Sequence, residues 1–175
     1  MRKTLKGLLV VAMVAIVIIA ALAIVLWNGD RSTEAERLIL RADDIIEGGW
    51  YQNGFSSHPS LQYQNESCEA YSALGNSSGN SLWIDIYLSV FKSSSDCKAA
   101  FDSWGTGWGN MTVLQIGEKC YLFETQGGRC LVIMRNDSVM AWIWVRTNIS
   151  VTTATSDVGA YLAELQWQKI KSLMD

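Results

Sequence analysis

The sequence predicts an α+β protein in which an N-terminal transmembrane helix is followed by an antiparallel sheet of about five or six strands packed with helices. Three observations lead to this prediction. Residues 8–27 are apolar without interruption, and several later segments alternate apolar and polar residues as half-buried strands do. Other segments repeat apolar residues at helical spacing. The sheet and its helices are expected to form one extracytoplasmic domain at residues 28–175.

The first element is the apolar run LLVVAMVAIVIIAALAIVLW at residues 8–27, which carries no charged residue. As a helix, a segment of this length spans about 30 Å, the hydrocarbon thickness of a bilayer. A cleaved secretory signal is the alternative, but its apolar region is shorter and gives way to polar chain after cleavage. Here the apolar residues continue past Ala21-Leu22-Ala23. We therefore predict an uncleaved signal anchor with Trp27 at the membrane interface.

The charges on either side of this run predict its orientation. Arg2, Lys3 and Lys6 precede it, so residues 1–7 are expected to be a cytoplasmic tail and the C-terminal domain to lie outside the membrane. The outer part contains the remaining 11 Lys and Arg and all 17 Asp and Glu, so its net charge is −6. This charge argues against nucleic acid as a partner. A signal would need a partner protein in the membrane, because so short a tail holds no signalling domain; the oligomeric state stays open.

Glycosylation sequons support an outside location. The chain has five Asn-x-Ser/Thr triplets, where its composition would give about one by chance. The predicted glycosylation candidates are Asn65, Asn76, Asn110, Asn136 and Asn148.

All four cysteines follow the apolar run, and an even number in an oxidising compartment favours two disulfides. We expect Cys68 to pair with Cys97 and Cys120 with Cys130, the latter through a bulge. The alternative pairs Cys68 with Cys120 and Cys97 with Cys130. Their spacing contains no Cys-x-x-Cys, so no metal site is predicted.

The first half of the outer domain is expected to hold one helix and a hairpin. Thr33 and Glu36 form a capping box for a helix that runs to Glu47. Residues 50–60 contain Gly, Ser and the only proline, and are predicted to be a loop. Strands at 61–74 and 82–91 then form a β-hairpin.

The second half continues with a short helix over the segment SSSDCKAAFDSW, which places Cys97, Phe101 and Trp104 on one face. Strands are predicted at 111–116, 119–124, 129–135 and 138–147, and a long helix at 156–174. The strand at 138–147 is apolar on both faces. It is therefore central, or one of its faces is an interaction surface.

The sequence contains no recognisable catalytic group, so a non-enzymatic protein without a cofactor is predicted. His58 is the only histidine, and no nucleophile motif lies near it. Asp43 and Glu47 share a helix face, but this pattern is typical of a solvated surface. No phosphate-binding loop or dinucleotide fingerprint is present.

Aromatic residues are the unusual feature, with 8 Trp in the chain. Trp108, Trp142 and Trp144 are the predicted ligand-binding residues, with Trp104 beside them in the segment WGTGWG. These rings either line a hydrophobic or sugar-binding groove or fill the core between sheet and helices.

These observations favour a single-pass, membrane-anchored binding, sensing or cell-envelope protein. The first alternative is a filament subunit: Lys6-Gly7 before an apolar helix and an α+β head resembles type IV pilin-like proteins, which a peptidase cuts after a glycine. The resemblance implies cleavage after Gly7, although residues 8–27 lack the acidic residue of that family and Asn28-Gly29 interrupts the helix. The second alternative is a secreted hydrolase.

Overall fold

The computed structural model describes residues 18–19, 34–46, 49–58, 65–76, 82–104, 108–125, 127, 129–147 and 152–174, with the backbone alone at 58 and 152–154. Within these ranges no helix is long and apolar enough to span a membrane. The predicted anchor lies outside them except for Ile18 and Ile19, which are helical and exposed.

The described chain forms a single antiparallel sheet of seven strands in the order β1-β2-β3-β7-β6-β5-β4. The strands are β1 (Trp50–His58), β2 (Glu66–Asn76), β3 (Leu82–Phe91), β4 (Asn110–Leu114), β5 (Lys119–Thr125), β6 (Arg129–Asn136) and β7 (Val139–Thr147). The helices are α1 (34–38), a short 3-10 helix (Ala42–Asp44), α2 (Ser94–Ser103) and α3 (Thr152–Met174). The predicted α+β class with an antiparallel sheet is confirmed, and the sheet has more strands than expected.

Two meanders build this sheet, β1-β2-β3 and β4-β5-β6-β7, and they join where β3 pairs with β7. The connection from β3 to β4 therefore crosses from the middle of the sheet to its far edge. Helix α2 and the segment that contains Trp104 and Trp108 make this crossing. Strand β7 lies between β3 and β6, which agrees with the first of the two alternatives predicted for it.

One face of the sheet, called here the helical face, is covered by α3 and by residues 34–46. Its core contains Leu74, Ile86, Val132, Ile143 and, from α3, Leu162. The helix approaches β6 so closely that a Cβ on Gly159 would lie 2.5 Å from Cys130 Sγ. This face is therefore closed by tight packing.

A buried glutamine holds the first segment in place. Gln166 of α3 is fully buried, and its Nε2 donates to the carbonyl of Leu38 at 2.7 Å. Its Oε1 accepts from the backbone N–H of Leu40 at 2.8 Å. The predicted helix to Glu47 is wrong beyond residue 38, because these backbone groups bond to Gln166 instead of continuing a helix.

Strand β1 replaces the loop that was predicted at 50–60. It pairs with β2 from Trp50 opposite Asn76 to His58 opposite Glu69, with a bulge between Gln52 and Gly54. The sequence of β1 does not alternate apolar and polar residues, and the strand forms because it pairs with β2. The local sequence pattern therefore did not predict this strand.

Candidate ligand-binding site on the aromatic face of the sheet

The second face, called here the aromatic face, carries rows of side chains that cross the sheet. Because residues alternate along each strand, the antiparallel register brings one residue per strand into each row. The first row contains Tyr71, Tyr87, Trp142, Ile133, Tyr121 and Val113. The second contains Ala73, Asp85, Trp144, Leu131, Phe123 and Met111. The third contains Gly75, Trp83, Arg146, Arg129 and Thr125.

The rings of this face contact one another in a continuous series. Ring centroids are 4.9 Å apart for Tyr71 and Tyr87, and 5.7 Å apart for Tyr87 and Trp142. Trp104 lies 5.4 Å from Trp142 and 5.7 Å from Trp108. These separations are typical of favourable aromatic pairs, so the face is an ordered ring cluster.

The three predicted ligand-binding tryptophans occupy different environments. Trp142 is 4% exposed and belongs to the core under α2, together with Phe101. Trp108 is 39% exposed, and its indole N–H donates to the carbonyl of Trp104 at 3.3 Å. Trp144 is half-buried, and its ring forms a T-shaped pair with that of Trp108, with centroids 5.6 Å apart. Of the three, only Trp144 lines the cleft described next.

A cleft of about 320 Å³ opens on this face beside α2, between the first and third rows. Its walls are Asp85, Tyr87, Arg129, Trp144 and Arg146. Arg129 and Arg146 are directly opposite each other on β6 and β7. The cleft therefore combines two cations, one carboxylate and two aromatic rings.

Asp85 is the centre of the polar contacts in this cleft. It forms an ion pair with Arg146, and its Oδ1 accepts from the Tyr71 hydroxyl at 2.7 Å. Burial raises the pKa of Tyr71, Tyr87 raises it further, and Arg146 opposes this effect. Tyr71 is therefore a neutral donor at physiological pH.

A smaller hollow of about 180 Å³ lies on the other side of the tryptophans. Its lining is largely apolar and consists of Phe101, Asp102, Trp104, Met111, Lys119, Tyr121, Phe123 and Ile133. The Lys119 ammonium at its rim lies 3.6 Å from the Asp102 carboxylate. Hydrogen bonding to Tyr121 and the charge of Asp102 raise the pKa of Lys119. The Lys119 ammonium is thus already paired with a carboxylate.

Over the described ranges, no three His, Cys, Asp or Glu side chains are grouped as metal ligands. The backbone of His58 ends β1, and its side chain lies outside the description. Asp43 is exposed in the 3-10 helix, and Glu47 is outside the described residues.

The cysteines require a correction. All four are buried, and Cys97, Cys120 and Cys130 are free thiols. Cys68, Cys120 and Cys130 lie on the helical face, whereas Cys97 lies on the aromatic face. The sheet therefore separates Cys68 from Cys97, and Cys97 from Cys130.

The remaining pairs are too distant along the sheet. Cys120 is opposite Met134 and Cys130 is opposite Glu124 in an unbroken register, so the two are offset by roughly 13 Å along the strands. Three strands lie between those of Cys68 and Cys120, a separation of roughly 19 Å. A disulfide needs Cα atoms within about 7 Å. Both predicted pairings are wrong: Cys97 and Cys120 are buried among apolar residues, and the Cys130 thiol donates to the carbonyl of Thr155 at 3.1 Å.

The sequons occupy varied positions. Asn110 begins β4 and is exposed, and Asn76 and Asn136 end β2 and β6. Asn65 has φ of 69°, and its side-chain amide donates to Asp96 at the start of α2, 2.9 Å away. Asn148 lies outside the described residues. Glycosylation of these residues stays a prediction.

Sequence reasoning missed the charged members of the cleft, Asp85, Arg129 and Arg146. The sequence contains a signal for Arg129 and Arg146 in Asn136-Asp137, a turn-forming pair between the predicted strands at 129–135 and 138–147. That turn fixes the β6–β7 register, which places Arg129 opposite Arg146. The ion pair to Asp85 depends on the pairing of β3 with β7, which no local pattern reveals.

Comparisons with known proteins identify the fold. No family model matches the chain, and no curated protein matches it in sequence. Among solved structures, the chain is similar to the extracellular domain of PknH from Mycobacterium tuberculosis, with a TM-score of 0.52 and 9% identity. The similarity covers 81% of this chain and 96% of that one. The two chains therefore share an α+β fold.

Proposed function

We propose that residues 28–175 form an extracytoplasmic binding or sensing domain, held at the membrane by a signal anchor at 8–27, and that this domain is not an enzyme. The observation that carries the binding function is the cleft of about 320 Å³ on the aromatic face. Clefts that combine aromatic walls with a few converging polar groups are the usual sites of small ligands.

Two further observations support the extracytoplasmic location. The similar solved structure is an extracellular domain. Three cations precede the apolar run, in agreement with a cytoplasmic N-terminus. The cysteines do not contribute to this argument, because the predicted disulfide pairings are wrong and buried thiols such as Cys120 do not report on the redox state of a compartment.

We also propose that a membrane protein is the partner through which ligand binding is sensed. Ala12, Ala15, Ala20 and Ala21 in the predicted anchor permit close helix contact.

Protease treatment of intact cells tests the location. The full chain would carry one epitope at each end, and we expect external protease to remove the C-terminal epitope while the N-terminal one persists. Lysed cells, in which both epitopes should be lost, are the control. Survival of the C-terminal epitope in intact cells would show that the proposed orientation is wrong.

A ligand panel tests the binding function. The full chain in detergent would be screened by saturation-transfer NMR against sugars, amino acids and organic acids. We expect a hit that Trp144→Ala weakens at least tenfold and that Trp167→Phe, on the helical face, leaves unchanged. Mass spectrometry should recover that ligand chemically unchanged. Hits that are all insensitive to Trp144→Ala, or conversion of the ligand, would contradict the proposal.

A further inference from the structure

We propose that the cleft of Asp85, Tyr87, Arg129, Trp144 and Arg146 binds an acidic saccharide, with the carboxylate on Arg129 and the sugar ring on Trp144. The inference rests on the proposed binding function and specifies its ligand class. Three features of the cleft carry it: one cation without an ion-pair partner among the described residues, one aromatic ring in the wall and one engaged carboxylate.

Arg129 is the uncompensated cation. Its neighbour Arg146 is paired with Asp85, whereas no described acidic residue forms an ion pair with Arg129. Two like charges directly opposite on neighbouring strands repel each other, so an anion beside Arg129 relieves the cleft of this repulsion. A guanidinium binds carboxylates through two parallel hydrogen bonds. A ligand carboxylate therefore fits here, although the outer domain as a whole is acidic.

Trp144 supplies the surface for the ring. It is half-buried in the second row, lines the cleft and packs against Trp108 in a T-shaped arrangement. The cleft is open to solvent, and its lining is a mixture of polar and apolar surface. An aromatic acid gains most from a closed apolar slot, whereas a sugar ring presents a C–H face to one aromatic ring and its hydroxyls to water and polar walls.

Asp85 and Tyr87 provide the polar wall for hydroxyl groups. One oxygen of Asp85 accepts from Tyr71 and the other is paired with Arg146. Each carboxylate oxygen has a second lone pair, so Asp85 still accepts from ligand hydroxyls. Because its charge is already balanced by Arg146, Asp85 does not repel an anionic ligand as an isolated carboxylate would.

The experiment compares methyl β-glucuronide with methyl β-glucoside, which differ only in the carboxylate. Affinities for the full chain in detergent would be measured by saturation-transfer NMR titration. We expect the glucuronide to bind at least tenfold more tightly, with a preference that falls as salt is added. Arg129→Gln should abolish the preference, because the glucuronide loses the partner of its carboxylate. The control Arg37→Gln changes an exposed cation outside the cleft and should alter nothing.

Each other outcome is informative. Equal affinities in the wild type, or a preference that survives Arg129→Gln, would overturn the proposal. If benzoate binds in a Trp144-dependent way while both glycosides fail, the cleft is a binding site and the saccharide class is wrong. Absence of Trp144-dependent binding by all three probes would also overturn the inference, and the wider panel would then decide whether the binding function itself stands.

Discussion

The apolar residues on the two faces of the sheet have different roles. The helical face buries small and medium aliphatic side chains under α3, and its one buried polar clamp, Gln166, has both ends of its amide bonded to backbone. The aromatic face is covered only in part by α2, and its large rings run from buried Trp142 to exposed Trp108. One face of a sheet can therefore supply most of the close packing while the other face combines packing with a polar cleft.

The largest expected effect separates the core part of the aromatic face from its surface part. Trp142→Ala should lower the free energy of unfolding by about 3–5 kcal/mol, because it empties a buried site. Trp108→Ala should change it by less than about 1 kcal/mol, since that ring is more than one-third exposed. Urea denaturation measures both values. Equal losses would show that the aromatic face is core throughout.

The next prediction concerns the clamp on the helical face. Gln166→Leu should lower the free energy of unfolding by about 2–4 kcal/mol, because the Leu40 N–H and the Leu38 carbonyl lose their partner in a buried place. Gln168→Leu is the matched control on the same helix, where the exposed amide bonds only to Glu164. A loss in the control as large as in Gln166→Leu would mean that the clamp has no special role.

The buried thiols should make the protein sensitive to alkali. Burial raises the pKa of Cys120 and Cys130 to about 12, so the folded state keeps protons that the unfolded state releases from about pH 9 upward. Stability is thus complete below pH 9 and falls between pH 9 and 12, by about 1 kcal/mol per thiol at pH 10. Urea unfolding at pH 7 and pH 10 measures this loss.

The control for this effect is Cys120→Ala, whose unfolding free energy should decline less steeply between the same two pH values. An unchanged slope would show that the thiol does not contribute. Alkylation by iodoacetamide at pH 8 should likewise be slow in the folded protein and rapid in urea.

The smallest expected effect is on the polar cleft. Arg129→Gln should leave the free energy of unfolding unchanged or raise it by about 0.5 kcal/mol, because it removes a like charge opposite Arg146. Arg146→Gln should lower it, since Asp85 is 16% exposed and would lose its counter-ion. Thermal unfolding at low salt compares them. A clear destabilisation by Arg129→Gln would indicate that Arg129 serves the fold and not a ligand.

Strand prediction succeeded where a run of apolar or alternating residues was bounded by turn residues. The bounds of β3 coincide with the predicted 82–91, and β5, β6 and β7 each differ by one residue at one end. Helix α2 lies in the predicted segment SSSDCKAAFDSW and is capped by its first residue, Ser93, whose hydroxyl accepts from the Asp96 N–H at 3.2 Å. These features depend on neighbours in the chain, which sequence displays directly.

The failures share a different cause. Strand β1 exists because β2 pairs with it, α1 ends early because Gln166 competes for its backbone, and the disulfides fail because the sheet separates their partners. Each involves residues far apart in sequence, so no local pattern could reveal it.

The α+β class, the bounds of four strands to within one residue and the aromatic character of one side of the sheet follow from the sequence, because residue patterns along a strand or helix are local properties. The tertiary structure alone decided which rings are core and which charges meet. Trp142 and Trp144 are two residues apart on one strand, yet α2 covers the first and leaves the second beside a cleft. Helix α2 lies in the connection that crosses from β3 to β4. The order of the strands in the sheet therefore determines which residues this helix covers.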